Sequence, residues 1–93
     1  MTREIARQVR VMGRVQGVAF RAWTQGQART LGLRGWVSNN PDGSVSALVA
    51  GPEDQVEVML DRMWSGPGAA AVRDVLVEAV VPVPELDGFD ITG

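Results

Sequence analysis

Between Ile5 and Val81 the apolar residues follow two different periods, and the order in which those periods alternate restricts the fold more than any single motif does. Ile5, Arg7, Val9 and Val11 share one face of an alternating run, which predicts a strand from Ile5 to Met12 with Arg7 near a sheet margin. From about Arg21 to Leu31 the spacing becomes helical. Phe20, Thr24, Ala28 and Leu31 fall on one stripe with Trp23 beside it, and Gly32 is a natural stop. Gly26 inside this helix costs about 1 kcal/mol relative to alanine. Gly35 to Asn39 and Ser44 to Ala50 then alternate again around Asn40-Pro41-Asp42-Gly43. Proline presets a turn angle, aspartate bonds back to the backbone and glycine accepts positive φ, so this pair reads as a hairpin.

The next helix is the clearest element. Pro52 suits its first turn, Glu53 and Asp54 complement its N-terminal dipole, and Val56, Met59, Leu60 and Met63 recur at helical spacing. Ser65-Gly66-Pro67-Gly68 ends it. Ala71 to Val81 reads as a strand with Val75, Val77 and Ala79 on one face, interrupted by Pro82 and Pro84; Phe89 to Thr92 fits a short extra edge strand. The order is βαββαβ. That order predicts an α+β, ferredoxin-like sandwich: an antiparallel sheet with two helices on one face and a short added C-terminal strand.

The 93 residues suit one domain spanning 1–93, which buries about 60–65% of its unfolded surface. There are no cysteines, which excludes disulfides and thiolate metal sites, and no histidines, which removes the commonest general base. No metal site and no cofactor is expected. No apolar run approaches the roughly 18 residues of a membrane span, and Met1-Thr2-Arg3-Glu4 lacks a signal-peptide core, so the expectation is a cytoplasmic monomer.

The chemistry gathers at residues 13–21, GRVQGVAFR. A strand enters a loop bounded by Gly13 and Gly17, and Arg21 follows where a helix begins. Glycines permit the positive φ that lets successive N–H groups converge on one anion, and a helix N-terminus behind the loop adds its dipole. Arg21 adds a planar, permanently charged fork matched to phosphate oxygens. These residues therefore read as a phosphate cradle made of the amides of Arg14, Val15, Gln16, Gly17 and Val18 together with Arg21. On residues alone, Arg21 also reads as a solvated helix-start arginine, and the glycines as shaping only the connection. Asn39, directly before Asn40-Pro41, reads as turn chemistry. Gly13 to Gly17 is not a Walker A loop, because no Gly-Lys-Ser/Thr follows.

GRVQGVAFR resembles the signature Gly-x-Val-Gln-Gly-Val-x-Phe-Arg of the acylphosphatase family, and Gly35-Trp36-Val37-Ser38-Asn39 resembles that family's second signature, Gly-Trp-Val-x-Asn. The two stand in the family's order, and the resemblance runs from Arg7 to Ile91. It implies hydrolysis of an acyl phosphate to a carboxylate and inorganic phosphate, without cofactor. It assigns phosphate binding to Arg21 and orientation of the attacking water to Asn39. The chain departs from the family at Ser38, where a basic residue is frequent, at Ala19, where a larger or different residue is often seen, and in the Phe89-Asp90-Ile91-Thr92-Gly93 ending, where relatives often close with a basic or aromatic residue.

Net charge is −2, unevenly spread: residues 1–46 carry +5 and residues 47–93 carry −7. A positive field around the cradle would attract an anionic substrate, and opposite charges interleaving on the folded surface explain the numbers equally well. The balance argues against a nucleic-acid partner, which needs a basic stripe. Trp23, Trp36 and Trp64 are read as core or sheet-face packing rather than a base-stacking platform. The Met59/Met63 pair reads as helix-core packing. The competing functional reading is a non-catalytic phosphate-binding module of the same fold that serves regulation or assembly.

Overall fold

A computed structural model describes residues 3–93; Met1 and Thr2, the first two residues of the expected domain, lie outside the described residues. The elements are β1 (Glu4–Arg14), α1 (Phe20–Thr30), β2 (Arg34–Asn39), β3 (Val45–Pro52), α2 (Glu53–Ser65), β4 (Ala71–Ala79) and β5 (Phe89–Ile91). They form one five-stranded sheet in the order β4-β1-β3-β2-β5. This is the ferredoxin-like arrangement expected from the alternating periods, with one addition. β5 runs parallel to β2, pairing Gly35 with Phe89 and Val37 with Ile91, so the complete sheet is mixed rather than purely antiparallel.

The central strands β1 and β3 are buried from both edges and carry the core. Val9, Val11, Val45, Ala47 and Val49 are fully enclosed on the helix side. Against them α1 buries Phe20, Thr24 and Ala28, and α2 buries Val56, Met59 and Met63. Each fully buried Val, Met or Phe among them contributes about 1.5–3 kcal/mol. Both helical stripes thus pack where their spacing points. Val77 does not follow Val75 into the core: it pairs with Val9 but stays 43% exposed, because β4 is an edge strand that outruns its helical cover.

The opposite face of the sheet has a smaller cluster, Ala6, Leu48 and Ala50, closed by Trp36, Val80, Val83 and Leu86. The chain after β4 folds back here, with Val80 N–H donating to Ala6 O at 3.1 Å. The strand ends at Ala79, two residues short of the expected Val81. Trp36 packs on this face and Trp23 packs against the main core in a tilted pair with Phe20, centroids 5.4 Å apart. Trp64 does neither and is 51% exposed. No helix among the described residues is long and apolar enough to cross a membrane.

One irregularity in β1 prepares the site. The pairing of β1 with β4 shifts register between Met12 and Gly13. Gly13 sits at φ 125°, and a Cβ there would lie 2.3 Å from Ala71 O, so only glycine fits. A bulge of this kind bends its strand. The pairing stops at Arg14, and residues 15–19 lead the chain into α1.

Candidate active site

The loop after β1 is anchored at one end and turned at the other. Val15 is buried in the core with 1% of its surface exposed, which fixes the middle of the loop. Gly17 at φ 74° and Ala19 at φ 64° then reverse the backbone into α1. Ala19 has a Cβ, and the left-handed region costs such a residue roughly 1–2 kcal/mol. A non-glycine residue held there marks a place where local comfort yields to the geometry around it.

Ala19 is also the N-cap of α1 and provides no side-chain cap, and the first turn of that helix has no acidic residue. Helix geometry leaves the leading N–H groups of such a turn without intrahelical acceptors. Arg21, in the same turn, donates from Nη1 to the main-chain oxygen of Gly93 beyond β5. A guanidinium has five N–H donors, so this contact orients the group and leaves others for a ligand.

Asn39 closes β2, pairing with Val45, and its N–H donates to Gly93 O at 3.3 Å. Its side-chain Oδ1 is buried without a hydrogen-bond partner. Leaving a buried carbonyl oxygen unpaired costs about 1–3 kcal/mol. The hydroxyl of Thr24, buried in the core, is likewise without a partner.

Val15, Gln16, Gly17, Ala19, Phe20, Arg21, Ala22, Asn39 and Ile91 together line a cleft of about 230 Å³. The structure therefore brings Arg21 and Asn39, residues from separate motifs, to one cleft with Val15, Gln16 and Gly17 of the expected cradle. Arg14 and Val18 are not in its lining: Arg14 ends β1 opposite Ala71, and Val18 packs against the core. A larger cleft of about 690 Å³ lies elsewhere, lined by Glu4, Arg34 and residues Val83 to Asp87. Its arginine is already paired with Glu4 at 2.8 Å, and Glu85 and Asp87 add further negative charge, a poor setting for phosphate.

Behind Asn39, the β2–β3 turn is tied down by charge. Asp42 Oδ1 accepts from the Ser44 hydroxyl at 2.6 Å and the Ser44 N–H at 2.9 Å, and its other oxygen pairs with Arg10. The Ser44 hydroxyl bond, the Ser44 amide bond and then Arg10 hold the Asp42 carboxyl down to about 2 from 3.8. Sequence reading found the turn but not this network, since Arg10 stands on a different strand and nothing local announces the pairing. It also missed the contact of Arg21 with Gly93, which depends on where β5 places Gly93.

The sequence model of the family described as Acylphosphatase matches residues 7–91. The chain belongs to the acylphosphatase family. Relatives share about half of its residues: an acylphosphatase of Rhizobium meliloti is 54% identical over 84 residues, covering 90% of this chain and 88% of that one. Among solved structures, an acylphosphatase from Coxiella burnetii is 36% identical with a TM-score of 0.92, covering 96% of this chain and 93% of its own. An acylphosphatase from Bacillus subtilis is 32% identical with a TM-score of 0.93, covering 96% and 99%. The family that the two signatures resemble and the fold that the order of elements predicts are those the chain has.

Proposed function

We propose that this acylphosphatase-family enzyme hydrolyses acyl phosphates by holding the phosphoryl group between the Gly13–Ala19 loop, the start of α1 and Arg21, while Asn39 orients the attacking water. Family membership and relatives named acylphosphatase support the reaction, and they do not favour the non-catalytic phosphate-binding module. The residue roles rest on the cleft. The single observation that carries them is that Arg21 and Asn39, which come from separate motifs, line one cleft.

An acyl phosphate is an activated mixed anhydride, and its carboxylate leaves without protonation. Catalysis then reduces to neutralising the phosphoryl oxygens and placing a water in line with the phosphorus. Loop amides, the helix N-terminus and the free donors of Arg21 meet the phosphoryl oxygens. Asn39 Oδ1 accepts one water hydrogen, which aims an oxygen lone pair at phosphorus. The water oxygen bonds to phosphorus as the bond from phosphorus to the bridging oxygen breaks, and that electron pair leaves with the carboxylate. A neutral amide does not take a proton from water at pH 7. With no histidine in the chain, the water proton passes to a phosphate oxygen. Arg14 and Val18, outside the cleft lining, have a supporting part in this scheme: Arg14 as positive charge at the approach and Val18 as backbone of the loop.

The same proposal includes one domain over residues 1–93, supported by the span of the family match, and a cytoplasmic monomer acting on a small acyl phosphate without a nucleic-acid partner. Light scattering on the purified chain checks the oligomeric state. Hydrolysis of benzoyl phosphate at neutral pH with EDTA present tests the chemistry. Turnover lost in Arg21→Ala, with weaker inhibition by inorganic phosphate, is the expected result; full turnover in that variant would remove Arg21 from the cradle.

A further inference from the structure

Gln16 lies in the centre of the cradle loop, yet its side chain does not serve as a free phosphate donor. Nε2 donates to Asn40 O at 2.8 Å and to Ser44 O at 2.9 Å. A primary amide nitrogen has two hydrogens, so both are spent. The remaining polar atom, Oε1, is an acceptor and would repel a phosphate oxygen. Any help Gln16 gives to phosphate comes from its main-chain N–H.

What the side chain does instead is join two parts of the site. Asn40 and Ser44 are the ends of the β2–β3 turn, and Asn40 is bonded directly to Asn39. The two carbonyls that Gln16 holds also close the turn: Asn40 O accepts from Gly43 N at 3.1 Å, and Ser44 O accepts from Asn40 N at 2.8 Å. The turn is stiff in its own right. The buried Ser44 hydroxyl accepts from Asn40 Nδ2 at 2.8 Å and Arg10 Nε at 3.1 Å and donates to Asp42, so its hydrogen-bonding capacity is full. Asn40 Nδ2 reaches Ser46 Oγ as well, at 2.7 Å. A rigid turn that carries Asn39 is thus clamped to the loop that carries the phosphate amides.

We infer that Gln16 is a positioning residue, whose two hydrogen bonds to the β2–β3 turn set the distance between the Asn39 carboxamide and the phosphate cradle. The inference rests on the water-orienting reading of Asn39. Water placed off line by about 1 Å is expected to slow the chemical step by about 10- to 100-fold, while phosphate binding, which uses the loop amides and Arg21, stays as it is.

The test is steady-state hydrolysis of benzoyl phosphate by wild type, Gln16→Met, Asn39→Ala and the double variant, with inhibition by inorganic phosphate measured on each. Methionine matches glutamine in length and lacks both donors. Gln16→Met is expected to lower kcat by about 10- to 100-fold with phosphate inhibition within about twofold of wild type, and to add little further loss to Asn39→Ala, since both act on one step. Parallel loss of phosphate inhibition would make Gln16 a phosphate ligand, and an unchanged kcat would make the clamp irrelevant to rate; either overturns the inference. So does an undiminished loss in the Asn39→Ala background, which would mean that Gln16 acts by another route. Full turnover by Asn39→Ala alone instead strikes the water-orienting reading itself. Gln16→Glu supplies an answer if the methionine variant does not fold. Its carboxylate faces two carbonyl oxygens at neutral pH, and protonation restores one donor. Its kcat relative to wild type should therefore rise as pH falls from about 7 to about 5, toward the ordinary glutamate range. A flat ratio would contradict the clamp.

Discussion

The two helices begin in opposite ways. α2 starts behind Pro52 with Glu53 and Asp54 in its first turn, and Glu53 N–H is taken by Arg3 O at 2.8 Å. Its positive dipole end is thus answered from within the protein. α1 starts behind Ala19, a left-handed residue without a cap, has no acid in its first turn and puts the cation Arg21 there. A cation at that end opposes the helix dipole rather than complementing it. Both helices carry an arginine in the last turn, as the dipole favours, so the oddity is confined to one end of one helix. The difference teaches how to tell a structural helix start from a functional one. α2 is answered as folded, whereas α1 has the opposite ending, the one that the proposed phosphate site uses.

The sharpest way to break this contrast is to give α1 the ending that α2 has. Arg21→Glu should remove nearly all benzoyl phosphate turnover, at least about 10²–10³-fold, and abolish phosphate inhibition. Its thermal midpoint should hold or rise, since an acid at a helix start contributes about 0.3–1 kcal/mol. A variant that lost stability and turnover together would instead show Arg21 to be structural.

The reciprocal change is smaller. Replacing Glu53 and Asp54 by alanine should cost α2 about 0.3–1 kcal/mol for each charge, read by denaturant melts, and leave kcat unchanged. A fall in kcat would mean that the two helix ends are not independent.

The smallest effect concerns the turn behind Asn39. The carboxyl of Asp42 titrates lower in the folded chain than in the unfolded one, so the stability it contributes is fully present above about 4 and is lost as pH falls toward about 2. Asp42→Asn should flatten the acid side of the stability profile over that window, and an unchanged profile would deny the Ser44 and Arg10 contacts their weight. EDTA should leave turnover unaltered throughout; a strong chelator effect would contradict phosphate binding by amides and arginine alone.

Much of this contrast is legible in sequence. The helical stripes of Phe20, Thr24 and Ala28 and of Val56, Met59 and Met63 point to the core they occupy, because periodicity records which side of an element is buried. The turn at Asn40 to Gly43 is legible for a similar reason, since its residues set their own backbone angles. The Gly13 to Gly17 loop is legible in its glycines and Arg21, whereas the role of Asn39 comes only through the family's second signature. What stayed hidden was set by distant partners. Phe89 to Thr92 reads as a short strand, but its parallel direction depends on the path of residues 80–88 over the open face of the sheet. Val77 has the alternation of a core residue and lacks only the helix above it. The Gln16 clamp joins residues 24 and 28 positions apart, and the Arg10–Asp42 pair spans 32. No local pattern encodes those meetings.

The central claim is that binding and water placement reside in different residues of one cleft. It is tested most directly by measuring kcat for benzoyl phosphate and the inhibition constant for inorganic phosphate on Asn39→Ala. The account predicts that most turnover disappears while phosphate inhibition stays close to that of the wild type. Equal loss of both would show that Asn39 holds phosphate rather than water, and would contradict it.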